Sequence, residues 1–449
     1  MLMKAKSRLR PVAGRNGDWV FAGAGAASVS QQPVSSARRF EQALDRGAAH
    51  QSPAAVPEIK VSLLTGGLDK PYVMGLTAAL VSHGVSLEVI GNSTLDGPEM
   101  HSTGQLSFLS LYWNPLKNLS AAAKLWRVFL SYVRIAFYAA RAQPKIFHVL
   151  WNNKFELFDR TILMLYHKAL GKKVVFTAHN VNAGKRDSND SAFNRLTLKI
   201  QYRLADHIFV HTPRMKAELR DDFGVSEHAV TVIPFGINDS MPSTNLTRGE
   251  ARQRLGLRED DRTILFFGNV RPYKGLEYLV EAFNLLGDDH YRLIIAGEPK
   301  KDTAVYMRQI EDAIERAGSR SRIIEKLEFV ADDQAELYFK ASDVAVLPYT
   351  VVFQSGVLFT AYSYGLPVIA TDVGSLSEDI APGETGLLCR ARDAEDLARA
   401  IREYFESDLY RTLDSRRQGI RNYALARHSW DEVGELTRKV YADLLAANR

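Results

Sequence analysis

The chain has 449 residues, 46% of them hydrophobic and 10% aromatic, and its 57 basic and 52 acidic side chains give a net charge of +5. This composition is typical of a globular protein of two or three domains, and it excludes a collagen, a disulfide scaffold and a chain disordered throughout. The single cysteine, Cys389, cannot form an internal disulfide, so the cytoplasm is the expected compartment.

Charge is distributed unevenly along the sequence. Residues 111–220 contain 19 basic and 6 acidic side chains, a balance of +13, whereas residues 221–449 contain 28 and 38, a balance of −10. A basic half indicates a surface that docks on anions, such as lipid headgroups, a polyanion or phosphorylated substrates. No apolar run approaches the ~20 residues of a membrane-spanning helix, so a transmembrane protein is not expected.

Residues 1–58 are predicted to be a disordered leader, because an Ala/Gly/Ser-rich stretch lacks periodicity and no convincing apolar region of an export signal follows the basic start. From Ile59 onward, short apolar runs alternate with helical periodicity, which predicts parallel strands with helices on both faces of each sheet. The predicted strands of a first series are 59–64, 86–90, 146–150, 173–177, 207–211 and 230–233. After a polar connection at 238–247, those of a second series are 263–267, 291–296, 323–329, 344–347 and 367–370. Helices are predicted at 120–142, 157–170, 357–364, 393–407 and 430–447.

Two doubly wound sheets bind ligands at the carboxyl ends of their strands, so the natural site is the cleft between them. The most informative segment there runs from Phe266 to Phe283. A strand ends at Gly268, a short loop presents Arg271 and Lys274, and Gly275 opens an amphipathic helix. An arginine fork and a lysine charge at a strand end suit a diphosphate. Two solvated basic residues in an ordinary loop are the alternative.

With this segment the chain resembles the retaining GT-B glycosyltransferases of family 4. Similar segments follow in order at 294–299 (which contains Gly297), 338–348, 365–374, Glu378 and 386–388. The first half resembles the family more loosely, through Gly66-Gly67, residues 177–180 and residues 232–237. The resemblance covers about residues 59–449 and is more specific in the second half.

The resemblance implies a GT-B fold, an α/β architecture of two doubly wound Rossmann-like domains that face each other across a cleft. It places an acceptor domain at 59–238, a nucleotide-sugar domain at 239–416, and final helices at 417–449 that cross back to the first domain. It implies transfer of a hexose from a nucleotide diphosphate sugar with retained anomeric configuration. The leaving diphosphate itself would help to deprotonate the acceptor, so no nucleophile is assigned.

By position in the resemblance, Arg271 and Lys274 hold the diphosphate and stabilise charge on the leaving group. Family members often have arginine directly after the first glycine of this segment. This chain has Asn269 there and its arginine two residues later, so the role of Lys274 is the more secure. The glycines Gly268 and Gly297 are expected beside the donor.

The donor loop departs from the family, which commonly has two glutamates eight residues apart. Thr360 occupies the second of these positions and Val352 the first. Gln354-Ser355-Gly356 stands there instead and leads into a helix, whose free N–H groups and partial positive charge suit a phosphate. Gln354 or Ser355 would bond the donor sugar, whereas an ordinary serine N-cap is the alternative.

Two features of the first half are candidates for the same site. Gly66 and Gly67 follow the first strand, where they either let a substrate approach the backbone or form a tight turn without a ligand. His179 follows the strand at 173–177. As a neutral imidazole it either bonds a donor sugar hydroxyl or the departing phosphate, or it is structural. His148 is expected to point away from the site.

The sequence has no Asp-x-Asp triplet and no cluster with metal-ligand spacing. We therefore expect no metal and no other cofactor, because basic residues and a helix end supply the electrostatic stabilisation. A nucleotide-sugar epimerase of similar fold and a non-catalytic GT-B binding subunit are the alternatives to a transferase. The missing glutamate pair motivates the second, and Arg271, Lys274 and Gly356 argue against it.

The helix predicted at 120–142 carries a basic stripe of Lys124, Arg127, Arg134 and Arg141. Its apolar residues are expected on the opposite side and on the flanks. A basic stripe with bordering aromatics suits an anionic membrane surface. A surface helix whose apolar face packs on the sheet is the alternative. The expected partners are a nucleotide sugar, a lipid-linked or saccharide acceptor of cell-envelope or exopolysaccharide synthesis, and the inner face of the cell membrane, without nucleic acid.

Overall fold

The computed structural model describes residues 58–447 except 68, 113–119, 154, 187–189, 238–243 and 301–302. The leader predicted at 1–58 lies outside the described residues except for its last position, and so does the predicted domain boundary at 238/239. Among the helices of the described part, none combines the length and the apolar character that crossing a bilayer requires.

The first half forms a parallel sheet of seven strands in the order β3-β2-β1-β4-β5-β6-β7. Its strands are β1 (Ile59–Leu64), β2 (Val85–Gly91), β3 (Leu106–Ser110), β4 (Ile146–Val149), β5 (Lys173–Thr177), β6 (His207–Val210) and β7 (Val230–Val232). Its helices are α1 (Lys70–Ser82), α2 (Ala121–Arg141), α3 (Glu156–Phe158), α4 (Met164–Ala169), α5 (Ala183–Arg186), α6 (Ala192–Leu204) and α7 (Pro213–Phe223).

The second half forms a parallel sheet of six strands in the order β10-β9-β8-β11-β12-β13. Its strands are β8 (Arg262–Phe267), β9 (Tyr291–Ala296), β10 (Ile323–Lys326), β11 (Val344–Leu347), β12 (Val368–Thr371) and β13 (Gly386–Cys389). Its helices are α8 (Arg248–Arg254), α9 (Leu276–Leu286), α10 (Ala304–Arg316), α11 (Asp332–Ala341), α12 (Gly356–Ser363), α13 (Leu376–Asp379), α14 (Ala394–Glu406), α15 (Asp408–Arg411), α16 (Leu413–Arg427) and α17 (Trp430–Ala446).

These two parallel sheets confirm the predicted fold class. Ten of the predicted strands end within about a residue of their observed limits, but the strand expected at 323–329 ends at Lys326, and Phe329 is exposed instead of paired. The sequence reading also missed β3 and β13, which lie at the edges of their sheets. Edge strands are covered on fewer sides, so their apolar signal is weak.

The strand order reverses once in each sheet, between β1 and β4 and between β8 and β11. At such a switch point the connections after the two neighbouring strands leave in opposite directions and open a crevice at the carboxyl ends of the strands. The loops that follow β1, β4, β8 and β11 therefore have the positions from which a ligand is contacted.

The final helices pack against different halves of the molecule. Ile420 and Ala424 of α16 belong to the hydrophobic core of the second sheet, whereas Val433 and Tyr441 of α17 belong to the core around β1. The predicted boundary at 416/417 falls inside α16. The chain thus returns to its first half after α16, and His148 of β4 is fully buried against Tyr441, with its Nδ1 2.6 Å from the phenol oxygen.

The helix predicted at 157–170 is interrupted. A π-helical turn at Asp159–Leu163 separates α3 from α4, and Asp159 and Arg160 in that turn are buried. Burial raises the pKa of Asp159 to about 6. An extra residue in a helical turn shifts the register of the faces, which is how two charged side chains come to point inward.

Helix α2 does not pack as an ordinary amphipathic surface helix. Val128, Ile135 and Ala139 are buried, but Leu125, Phe129 and Val133 are exposed. The alternative in which the apolar side lies on the sheet is therefore wrong for these three residues. The basic residues Arg127, Arg134 and Arg141 are exposed and Lys124 is half-buried.

Candidate functional site

The loop after β8 folds back over the end of its own strand. A single 3₁₀ turn, Pro272–Lys274, is followed by Gly275 in the left-handed region (φ 66°). A Cβ atom at Gly275 would lie 2.0 Å from the carbonyl oxygen of Pro348, so only glycine fits there. The turn directs Lys274 toward Gly268, where its Nζ would lie 2.9 Å from a Cβ at that glycine.

Lys274 is a buried cation. Its residue is 8% exposed, and burial together with the neighbouring Arg271 lowers the pKa of Lys274 to about 8. Its Nζ lies 5.6 Å from the centre of the Tyr349 ring. No carboxylate of the described residues forms an ion pair with it. Two adjacent cations, to which the described part of the chain supplies no counter-ion, attract an anion to this strand end.

The other predicted donor glycine lies against the first. Gly297 follows β9, and a Cβ atom there would lie 2.1 Å from the carbonyl oxygen of Gly268. The two strand ends can approach each other this closely only without side chains. Gly268 and Gly297 therefore form a flat floor beside Lys274.

The amino end of α12 faces the same floor. Val357 in its first turn lies 3.4 Å from the position that a Cβ would take on Gly268. Ser355 precedes the helix, but its hydroxyl does not cap it and lies 3.2 Å from the Tyr349 hydroxyl. Gly356 is exposed, and a Cβ added there would meet no neighbouring side chain or loop within 4 Å. The ordinary N-cap that was the alternative for Ser355 is thus not formed.

Two side chains of this region, Gln354 and Thr360, differ in whether their polar group is already hydrogen-bonded within the protein. The Gln354 side-chain oxygen is buried and has no hydrogen-bond partner among the described residues, whereas the Thr360 hydroxyl donates to the Gly356 carbonyl of its own helix at 3.0 Å. A buried amide oxygen without a partner costs free energy that a ligand donor recovers. Of the two, Gln354 is the better placed to contact a ligand.

The glycine pair of the first half forms a tight turn under neighbouring strand ends. Gly66 and Gly67 both have positive φ, 62° and 74°. A Cβ at Gly66 would lie 2.9 Å from the Trp151 carbonyl oxygen, and one at Gly67 would lie 2.7 Å from the Asn92 side-chain nitrogen. Backbone packing and positive φ thus require glycine at Gly66, and positive φ favours it at Gly67, at the switch point between β1 and β4.

His179 follows β5 and lies among aromatic rings. The Trp151 ring stacks on it at a centroid distance of 4.1 Å and an angle of 4°, and the Tyr72 ring of α1 makes a T-shaped contact with it at 4.7 Å. Burial and the neighbouring His211 hold the pKa of His179 well below its usual range. The imidazole is therefore neutral at pH 7, and its Nε2 is buried with no hydrogen-bond partner in the part of the chain that the structure describes.

The sequence reading missed His211, which lies directly after β6. Its Nε2 is 3.0 Å from Nδ1 of His179, and its Nδ1 is 3.4 Å from the Ile233 carbonyl oxygen. The same signal that indicated His179, a polar residue at the carboxyl end of a parallel strand, was available for His211. Burial lowers its pKa to about 4, so it too is neutral at pH 7.

The histidine pair of the first half meets α12 of the second. Phe235, which follows β7, lies 5.1 Å from the His211 ring and stacks on Phe359 of α12 at 5.4 Å. Arg214 of α7 donates to the Gly374 carbonyl at 3.0 Å. The candidate residues of both halves are thus brought to one region. Among the described residues, no group of three or more His, Cys, Asp or Glu side chains could hold a metal ion.

Two family models match the chain in succession. One described as "Glycosyltransferase Family 4" matches residues 70–240, and one described as "Glycosyl transferases group 1" matches residues 261–407. Together they cover both sheets except β1, and all the loops that carry candidate residues except the one with Gly66 and Gly67. The chain has the GT-B fold of group 1 and family 4 glycosyltransferases.

Similarity to curated GT-B proteins is partial. The chain is 32% identical over 207 residues to D-inositol 3-phosphate glycosyltransferase of Geodermatophilus obscurus, which covers 44% of this chain and 45% of that protein. It is 27% identical over 259 residues to the protein of the same name from Streptomyces avermitilis, which covers 55% and 53%. The chain thus matches about half the length of these relatives.

Solved structures support the GT-B fold over nearly the whole described chain. Sucrose-phosphate synthase from Thermosynechococcus elongatus superposes with a TM-score of 0.70 at 21% identity, over 87% of this chain and 100% of the other. HepE from Anabaena, in a structure with UDP-glucose, superposes with a TM-score of 0.65 at 16% identity, over 87% and 100%. At these identities the likeness concerns the fold.

Proposed function

We propose that this GT-B protein is a retaining hexosyltransferase that uses a nucleotide diphosphate sugar. The single observation that carries the proposal is Lys274, a buried cation that lies beside Arg271 at the switch point of the second sheet and has no counter-ion among the described residues. The bound UDP-glucose of the HepE structure supports the choice of donor class.

A diphosphate suits this site on electrostatic grounds. Lys274 and Arg271 supply two positive charges, the start of α12 supplies N–H groups and a partial positive charge, and Gly268 and Gly297 leave the backbone uncovered. In the transfer, the bond from the anomeric carbon to the diphosphate oxygen breaks and a bond to the acceptor oxygen forms. The acceptor proton passes to the leaving diphosphate, whose negative charge the cations stabilise. We further propose that no divalent cation is needed.

The tautomer of the histidine pair selects a role for His179. The Ile233 carbonyl is an acceptor, so it takes the proton on Nδ1 of neutral His211, and Nε2 of His211 then accepts from Nδ1 of His179. This leaves Nε2 of His179 without a proton. We therefore assign it to a donor-sugar hydroxyl, which donates, and not to a phosphate oxygen, which also only accepts.

The loop before α12 compensates for the two absent glutamates in part. Gln354 offers the unpartnered buried oxygen, whereas Thr360 is bonded within its own helix. We propose that Gln354 accepts from a hydroxyl of the donor. The acceptor that we propose is a lipid-linked or polysaccharide precursor of cell-envelope or exopolysaccharide synthesis, at the cytoplasmic face of the membrane, where the exposed Arg127, Arg134 and Arg141 contact anionic lipid.

Thermal unfolding with UDP, GDP, ADP and their common sugars tests the proposal, on the wild type and on Lys274→Ala. A ligand at 100 times its Kd stabilises the folded state by about 2.7 kcal/mol, so one nucleotide should raise the melting temperature of the wild type and not of the variant. Gln354→Ala should keep the shift with the free nucleotide and lose part of the extra shift given by the sugar.

The same experiment separates the alternatives. No shift with any nucleotide would contradict the proposal and favour a non-catalytic binding subunit. Conversion of the nucleotide sugar to its epimer without acceptor would instead identify an epimerase. Transfer that EDTA abolishes and Mg²⁺ restores would overturn the proposed metal independence.

A further inference from the structure

Large hydrophobic side chains are concentrated on one surface of the first half. In the described part of the chain fifteen such side chains are exposed, and eleven of them, each between 44% and 60% exposed, lie on α2, on the segment from Phe155 to Leu165 and on α6. We call these eleven the apolar band. Its members are Leu125, Trp126, Phe129, Val133 and Phe137 on α2, Phe155, Leu157, Ile162 and Leu165 on the segment, and Phe193 and Leu196 on α6.

The first two parts of the band are joined through packed side chains. Tyr132 of α2 stacks on Phe155 at 6.1 Å and meets Phe158 edge-on at 4.8 Å. The Tyr166 hydroxyl of α4 donates to the Ala136 carbonyl of α2 at 3.1 Å. At 100° per residue, Tyr132 borders the arc that Leu125, Phe129 and Val133 occupy, and Ala136 lies within it. The exposed side of α2 therefore continues onto the neighbouring segment.

The third part is joined by Arg160. Its Nη1 donates to the Asn194 side chain of α6 at 2.9 Å. Asn194 lies between the exposed Phe193 and Leu196 in sequence. The buried guanidinium thus fixes α6 beside the π-helical turn, and the three parts share one side of the first sheet.

Charge distinguishes between two possible partners of this band, a second copy of the chain and an anionic bilayer. Arg127, Arg134 and Arg141 are exposed on the arc of α2 that borders Phe137, and the Arg141 guanidinium lies 3.5 Å from the centre of the Phe137 ring. The surrounding residues 111–220 carry a balance of +13 from 19 basic and 6 acidic side chains. A second copy of the chain would bring two such surfaces together with repulsion, whereas an anionic bilayer neutralises them.

We propose that the apolar band inserts into an anionic lipid bilayer, with the arginines of α2 at the headgroups. The band deepens the proposed function, because it rests on a membrane-bound acceptor and adds apolar insertion to the adsorption that the basic stripe alone gives.

The band is also tied to the candidate site. The Tyr132 hydroxyl donates to Asp159 at 3.2 Å and accepts from the Phe155 N–H at 3.0 Å. Asn153, two residues after Trp151, donates to the same carboxylate at 3.0 Å. Insertion of α2 and Phe155 thus holds the loop after β4, and with it the ring stacked on His179, near the membrane surface.

Fluorescence of Trp126 on vesicles of phosphatidylglycerol and phosphatidylcholine tests the proposal with the full chain. Bromine atoms on the acyl chains should quench Trp126, and 0.5 M NaCl should leave much of the binding intact, because apolar burial is not screened. The Trp126→Phe variant should bind the vesicles as well as the wild type does, and it should lose the bromine quenching that comes from Trp126. Phe129→Ser with Phe137→Ser should weaken binding about tenfold or more. The matched pair Val305→Ser with Phe329→Ser, exposed apolar residues of the second half, should have no effect.

Three outcomes would overturn the insertion. Binding that salt removes completely, without bromine quenching, would mean electrostatic adsorption only. Absence of vesicle binding together with self-association that the Phe129/Phe137 variant abolishes would assign the band to a second copy. Equal loss in both variant pairs would mean a general effect of surface polarity. The melting shift given by the nucleotide should persist in every variant of the apolar band. If the wild type shows no such shift, the result counts against the proposed function and not against the insertion.

Discussion

Lys274 is a residue whose pKa depends on its surroundings in the folded protein. Its neighbours give it no carboxylate partner among the described residues, and burial with Arg271 nearby lowers its pKa to about 8. Below pH 8 the side chain is protonated and attracts an anion, and above pH 8 it loses its proton unless an anion is bound. The usual lysine pKa near 10.4 would give no such transition near neutrality.

We therefore predict that nucleoside diphosphate affinity decreases as the pH rises through 8. The Kd should increase by up to about tenfold per pH unit above that value, because the deprotonated amine must be protonated before it pairs with the phosphate. Isothermal titration between pH 6.5 and 9.5 measures this.

Lys274→Arg is the control for this pH dependence. A guanidinium stays protonated over the whole range, so any affinity that the variant retains should be independent of pH in this window. A wild-type Kd that does not change between pH 7 and 9.5 would contradict the assignment of Lys274 as a phosphate ligand.

At the scale of the element, α9 has a glycine at each end with nearly the same backbone conformation. Gly275 before it has φ 66° and Gly287 after it has φ 70°. They differ in surroundings, because a Cβ at Gly275 would lie 2.0 Å from the Pro348 carbonyl oxygen, whereas nothing lies within 4 Å of one at Gly287. Comparison of the two therefore separates backbone strain from steric overlap.

We predict that Gly287→Ala lowers the free energy of unfolding by about 1 kcal/mol, because alanine is strained at a positive φ. Gly275→Ala should cost at least about 2 kcal/mol more, since the backbone of the Lys274 loop must move. Differential scanning calorimetry should show a melting temperature several degrees lower for Gly275→Ala than for Gly287→Ala. Equal losses would mean that Pro348 and the loop adapt without strain.

At the scale of the whole molecule, Trp430 fixes the last helix to the first half. Cβ atoms at Gly75 of α1 and at Gly236 would lie 2.2 Å and 2.3 Å from its indole ring. The ring therefore lies between two backbone segments that are more than 160 residues apart in sequence. The two glycines provide the space for it.

We predict that Trp430→Ala lowers the free energy of unfolding by about 3 kcal/mol, because it leaves a cavity between α1 and α17. Trp126→Ala is the matched control, since this exposed ring should change stability by no more than about 0.5 kcal/mol. Thermal unfolding measures both, and limited proteolysis should release α17 from the Trp430 variant only. A Trp430 variant as stable as the Trp126 variant would show that α17 is held by its remaining contacts.

The order of strands and helices along the chain and the loop with Arg271 and Lys274 follow from the sequence, because they depend on local signals. The order of the strands within each sheet, and with it the switch points, came only from the structure. The periodicity of apolar residues, the glycines at turns and the short apolar runs of strands are each visible within a few consecutive residues. The same signals failed where they are weak, at the edge strands β3 and β13, and where a π-helical turn changes the register between α3 and α4.

Other properties depend on residues that are distant in sequence. The covered side of α2, the pairing of His179 with His211, the turning of Ser355 toward Tyr349 and the unpartnered oxygen of Gln354 were all decided by packing. Helical periodicity gives the faces of a helix but not which of them a neighbour covers. The sequence by itself thus determined the fold and the loop that carries Arg271 and Lys274, whereas only the tertiary structure decided burial, protonation and the exposed apolar band, because these are properties of the surroundings and not of the chain.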